Sequence, residues 1–90
     1  MVENKNIDFA CWINTQISAS KISPKALAFD SGLRADTIYS YIRGDSVPEL
    51  RSYKYICEAF AFHQRSILRL SKEEGKILLM NILAEGIKKL

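Results

Sequence analysis

Ser23-Pro24-Lys25-Ala26-Leu27-Ala28-Phe29-Asp30-Ser31-Gly32-Leu33-Arg34-Ala35-Asp36-Thr37-Ile38-Tyr39-Ser40-Tyr41-Ile42-Arg43-Gly44 is the stretch that decides the reading of this chain. Ser23 can cap the free amides of a helix, and Pro24 suits a first helical position because its missing N–H would have no partner there. Gly32 stops that helix after barely two turns. The chain's third helix should run from Ala35 to Arg43, with Ile38, Tyr41 and Ile42 spaced i, i+3, i+4 as one apolar stripe. Gly44 ends it. Two short helices joined by a tight turn containing glycine are the skeleton of a helix-turn-helix unit. Ala28 is small enough for the two to cross closely, Gly32 supplies a turn conformation that side chains resist, and Leu33 and Ile38 plug the crossing.

Upstream, Phe9, Ala10, Ile13 and Ile17 line one face of a helix over Ile7 to Ile17, widened by Trp12, and Ser18-Ala19-Ser20-Lys21 breaks the pattern. Beyond Pro48 a fourth helix carries Leu50, Tyr53, Ile56, Cys57 and Phe60 on one side. Gln64 to Leu70 reads as a separate short stretch anchored by Ile67 and Leu68. Ser71-Lys72-Glu73-Glu74 is a capping box that opens a last helix of roughly four turns to Leu90. No alternating run or hairpin turn predicts a strand. With no linker or repeat, one domain over 1–90 is expected, with a core of 7–70 and a C-terminal helix in 71–90.

The chain is 48% hydrophobic and 26% charged, an ordinary globular composition. Its longest apolar runs fall far short of the ~20 residues a membrane helix needs. The polar opening Met1-Val2-Glu3-Asn4-Lys5-Asn6 lacks a signal-peptide layout, so a cytoplasmic protein is expected. A net charge of +3 suits a polyanionic partner without requiring one. Cys11, Cys57 and the sole histidine, His63, make no four-ligand zinc set, so no metal or cofactor is expected. Both thiols read as small buried apolar groups. Trp12, Phe29, Tyr41, Tyr53 and Tyr55 read as packing residues, His63 as a helix-start residue, and Asp8, Asp30 and Glu58 as separate solvated charges. No nucleophile, acid–base pair or phosphate loop emerges, which argues against an enzyme.

The ordered set Leu27-Ala28, Ser31-Gly32-Leu33, Thr37-Ile38, Arg43-Gly44, Pro48 and Ile56-Cys57-Glu58-Ala59-Phe60 resembles the lambda-repressor/Cro-like helix-turn-helix family. The resemblance runs from about Phe9 to Leu68 and takes Phe62-His63 with Ile67-Leu68 as the family's fifth helix. It implies an all-α, five-helix lambda-repressor-like DNA-binding domain with an additional C-terminal helix. It also implies a bacterial or phage transcriptional regulator, a repressor in the family's simplest mode, that reads double-stranded DNA. The first residues of the third helix enter the major groove and neighbouring segments grip phosphates. Carried onto this chain, the base-reading candidates are Arg34, Ala35, Asp36, Thr37 and Ser40, with Tyr39 second in rank; all lie opposite the Ile38/Tyr41/Ile42 stripe. Arg34 leads, because a guanidinium can hold guanine O6 and N7 together. Phosphate contacts fall to Lys25, Arg43, the backbone amides from Gly44 to Val47, Ser46 among them, and Arg51 and Lys54.

The chain departs from the family at Pro24, where glutamine is common, at Ile42, where glutamate is usual, and at Asp45 and Glu49, where lysine or arginine often stands. These changes bear on affinity more than on fold. They leave open a second reading, a protein-interaction module on the same fold such as an anti-repressor or adaptor, or an antitoxin-type regulator that also binds a protein partner. Leu79, Leu83, Ile87 and Leu90 form a stripe on the last helix that either enlarges the core or pairs two subunits. The homodimer is the favoured expectation, since the first five helices should close the core alone and palindromic sites need two-fold symmetry.

Overall fold

The computed structural model describes residues 6–90; the opening segment Met1 to Lys5, read above for a signal peptide, lies outside them. Among the described residues there are five helices and no strand: α1 (Asn6–Ser20), α2 (Pro24–Ser31), α3 (Ala35–Arg43), α4 (Leu50–Leu68) and α5 (Lys72–Ile87). The expected local signals are present. Ser23 Oγ accepts from Ala26 N at 3.1 Å, and Gly32 and Gly44 close α2 and α3 at φ of 71° and 80°, the left-handed region that favours glycine. Ser71 and Glu74 form the reciprocal capping box of α5.

Two helix boundaries differ from expectation. α1 does not break at Ser18 but continues to Ser20, because Ser20 turns inward and its hydroxyl accepts from Gln64 Nε2 at 3.0 Å. Lys21 at φ 53° then ends it. The separate stretch over Gln64 to Leu70 is absent: α4 runs on to Leu68, so there are five helices where the resemblance implied a sixth. No glycine or proline interrupts that segment, and Gln64, read as part of a new element, is a buried anchor that also reaches Gln16 Oε1 at 2.8 Å. His63 therefore lies inside α4 rather than at a helix start.

The core gathers Phe9, Trp12 and Ile13 from α1, Leu27 and Ala28 from α2, and Ile38 and Tyr41 from α3. Tyr53, Ile56, Cys57 and Phe60 come from α4, and Ile82 from α5. Aromatic rings knit its centre, with Trp12 at 5.4 Å from Phe9, 5.8 Å from Tyr53 and 6.0 Å from Phe60 between centroids. The expectation that the core closes without the last helix is not met. Ile82 is buried, Leu78, Leu79, Leu83 and Leu90 pack against the cluster, and the Tyr53 hydroxyl donates to the Leu83 carbonyl at 2.6 Å. α5 thus contributes to the core, lying on α4 and α1, while α2 packs on both α3 and α4.

Three residues read as buried are not. Phe29 and Tyr55 are exposed, since the inward positions of α2 are Leu27, Ala28 and Ser31 and those of α4 are Tyr53, Ile56, Cys57 and Phe60. Cys11 is exposed as well, whereas Cys57 is fully buried. Leu50, placed on the apolar face of α4, also stands in solvent at 67% exposure. No described helix is long and apolar enough to cross a membrane.

Candidate nucleic-acid interface

α3 is the most sharply two-faced helix of the fold. Ile38 and Tyr41 bury one side in the core, and Ile42 packs partly against it. Burial, and then the nearby Glu49 carboxylate, raise the Tyr41 phenol above its ordinary pKa, so it stays neutral at physiological pH. A nine-residue helix is roughly 14 Å long, close to the ~12 Å width of the B-DNA major groove. Asn14, which sequence reasoning missed, donates from Nδ2 to the Ile42 carbonyl at 3.3 Å and ties α1 to the last turn of α3.

The structure brings the base-reading candidates onto one surface with unequal reach. The side chains of Arg34 and Asp36 are 85% and 89% exposed. Thr37, Tyr39 and Ser40 are half-buried, and Ala35 packs against the edge of the core. Arg34 is the N-cap residue of α3 but caps through its backbone carbonyl, which accepts from Ile38 N at 3.2 Å, leaving the side chain out of the capping role. Ser40 Oγ and Ser46 Oγ lie 2.7 Å apart and lock the helix to the loop that follows it.

The phosphate candidates frame this surface. Lys25 is exposed in the first turn of α2, Arg43 in the last turn of α3, and Arg51 and Lys54 in the first two turns of α4. Gly44, expected to offer its backbone to a phosphate, does not: it is buried and its amide donates to the Tyr41 carbonyl at 3.1 Å to close α3, while Ser46 is half-buried. Carboxylates stand among these cations. Asp36 Oδ2 lies 3.7 Å from an Arg34 guanidinium nitrogen, and Asp45 Oδ2 lies 2.9 Å from Arg43 Nε. Each exposed pair is worth ~0–1 kcal/mol in isolation, so they shape the field of the surface more than the stability of the fold.

The dimerisation candidates are divided. Leu79, Leu83 and Leu90 pack partly against the core, and only Ile87 is exposed. Leu83 and Ile87 instead line an open groove of about 550 Å³ with Leu50, Tyr53, Lys54, Met80 and Ala84. Elsewhere, His63 Nε2 and Asp30 Oδ2 meet at 2.6 Å across 33 residues of chain, a pairing with no local sequence signal. The exposure of Phe29 and Tyr55, by contrast, follows from the apolar spacing of their own helices. Among the described residues no group of three or more His, Cys, Asp or Glu side chains could hold a metal. Comparison of the chain with family models, with curated proteins and with solved structures finds no match.

Proposed function

We propose that this chain is a sequence-specific, DNA-binding transcriptional regulator of the lambda-repressor/Cro-like kind, acting in the cytoplasm, which lays α3 in the major groove. One observation carries the reading. A short helix bounded by an N-cap arginine and a C-terminal glycine buries Ile38 and Tyr41 while turning Arg34, Asp36 and the half-buried Thr37, Tyr39 and Ser40 outward. Arg34, at the leading end, reads guanine, and Lys25, Arg43, Arg51 and Lys54 set register against phosphates. Two-fold pairing over the groove at Leu50, Met80, Leu83, Ala84 and Ile87 supplies the symmetry a palindromic site requires, with half-sites about 34 Å apart. The regulator acts by occupying an operator, and repression is its simplest mode.

A second reading, a protein-interaction module on the same fold, is favoured by one feature: both arginines of the α3 surface already face an aspartate. Titrating the protein against the duplex upstream of its own gene and a scrambled duplex, at two salt concentrations, separates the two. The regulator binds the native duplex preferentially, and its affinity falls steeply with salt. Arg34→Ala relaxes the sequence preference, whereas Arg43→Ala weakens both duplexes alike. Equal, weak binding to both duplexes by the parent protein supports the interaction module.

A further inference from the structure

Phe29 and Phe62 are the two most exposed large apolar side chains of the described fold, at 88% and 71%. Both belong to the α2–α4 side of the molecule, and neither contributes to the α3 surface. Phe62 forms one wall of a cleft of about 360 Å³ whose other lining residues are Asp30, Tyr55, Glu58, Ala59 and His63. That volume is at the lower end of ligand sites, which span roughly 300–1,000 Å³, and suits a single side chain. In a chain with 13 lysines and arginines, none lines this cleft, while two carboxylates and two exposed aromatic rings do.

The residues are held in place. Asp30 Oδ2 is bonded to His63 Nε2 at 2.6 Å, and the Phe62 ring stands at 90° to the His63 imidazole with centroids 5.4 Å apart. Glu58 makes no ion pair or side-chain hydrogen bond among the described residues. The cleft continues past Tyr55 toward Leu33, Arg51 and Ser52, where Asp30 and Tyr55 are shared with a second hollow, and Glu58 and Phe62 also border a hollow lined by Arg65, Lys72 and Lys76.

We propose that this cleft is a docking site for an arginine side chain presented by a partner protein. Asp30 is taken up by His63, so the unpaired Glu58 carboxylate is what selects a cation and repels DNA phosphate. The flat guanidinium is selected over an ammonium because it can stack on the Tyr55 or Phe62 ring while its planar donors bond a carboxylate such as Glu58. The site is separate from the α3 surface, so it stands or falls independently of DNA binding.

The test is amide NMR of the full chain titrated with acetyl-arginine amide, and in parallel with acetyl-citrulline amide, its neutral isostere. Saturable shifts confined to residues 29–31 and 55–63, given by the arginine amide alone and weakened at least fivefold in Glu58→Gln, are expected. Glu58 is exposed, so that variant keeps the fold and the rest of its spectrum is unchanged. Equal shifts from the citrulline amide, or arginine shifts that persist in Glu58→Gln, overturn the proposal. Sedimentation distinguishes another occupant: self-association of the parent that is lost in Glu58→Gln assigns the cleft to a second copy and overturns the partner protein.

Discussion

Replacing Gly86 by alanine tests whether α5 belongs to the core. In an exposed helix interior this change stabilises by roughly 0.5–1 kcal/mol, because glycine loses more backbone freedom on folding. Here a Cβ would stand 2.5 and 2.6 Å from Trp12 ring carbons and would also collide with the Tyr53 hydroxyl. Carbon atoms pack best at ~3.5–4.0 Å, so the rings must retreat by about 1 Å. Trp12 has little room to do so between Phe9, Tyr53 and Phe60. Overpacking costs ~1–3 kcal/mol, and displacing the Tyr53 hydroxyl from the Leu83 carbonyl costs a further ~0.5–1.5 kcal/mol. Net destabilisation is therefore about 2 kcal/mol, a fall in Tm on the order of 8–16 °C for a chain of this size. Urea unfolding followed by the fluorescence of Trp12, the sole tryptophan, measures it. Gly75→Ala is the control. The three atoms nearest its Cβ all belong to the exposed, flexible Arg65 side chain, which can swing away at the expense of its 3.4 Å bond to the Leu70 carbonyl, so the change stays within about 1 kcal/mol of the parent. A Gly86→Ala protein as stable as the parent refutes the docking of α5 on Trp12 and Tyr53.

Three further outcomes follow from the same geometry. Asp45→Asn leaves stability within about 0.5 kcal/mol but tightens DNA binding: a unit charge about 8 Å from a phosphate in water is worth ~0.5 kcal/mol, and two such phosphates give roughly fivefold at low salt. Gel-shift titration checks it, and the gain should shrink as salt rises. Burial pushes the Cys57 thiol up to about 11, while Cys11 is exposed, so a thiol reagent at pH 8 should modify one cysteine rapidly and the second only as the chain unfolds. The Ser71 backbone amide, and then its hydroxyl, hold Glu74 below the ordinary carboxylate range. Its contribution is complete above the unfolded value of 4.5 and is lost as pH falls through the lower folded value. Thermal unfolding of Glu74→Gln below pH 4.5 should accordingly show a weaker pH dependence than the parent.

How much of this was legible in the sequence depended on how local each signal was. The Ser23-Pro24 start, the Gly32 and Gly44 stops and the Ser71–Glu74 box act within four residues of the backbone they shape, and all four are found in the fold. Apolar spacing likewise picked the inward faces of α1, α3 and α4. Reading Phe29 and Tyr55 as packing material overrode that same spacing. The length of α4 turned on Gln64, a polar residue whose partners Gln16 and Ser20 lie more than 40 positions away. The stripe of α5 left two readings open because a stripe read alone does not show which side faces a neighbour; at Gly86 a Cβ would collide with Trp12 and Tyr53. On the α3 surface the chain supplied the residue types, but not the pairing of Arg34 with Asp36 and of Arg43 with Asp45.

The central claim is that the outward face of α3 reads base sequence. Selection of bound duplexes from a fully randomised library, run with the parent protein and with Arg34→Ala, tests it most directly. The account predicts a short guanine-containing motif, repeated with two-fold symmetry about one helical turn apart, whose guanine preference disappears in Arg34→Ala. A pool from the parent protein that remains random after repeated rounds, or an identical motif from both proteins, contradicts it.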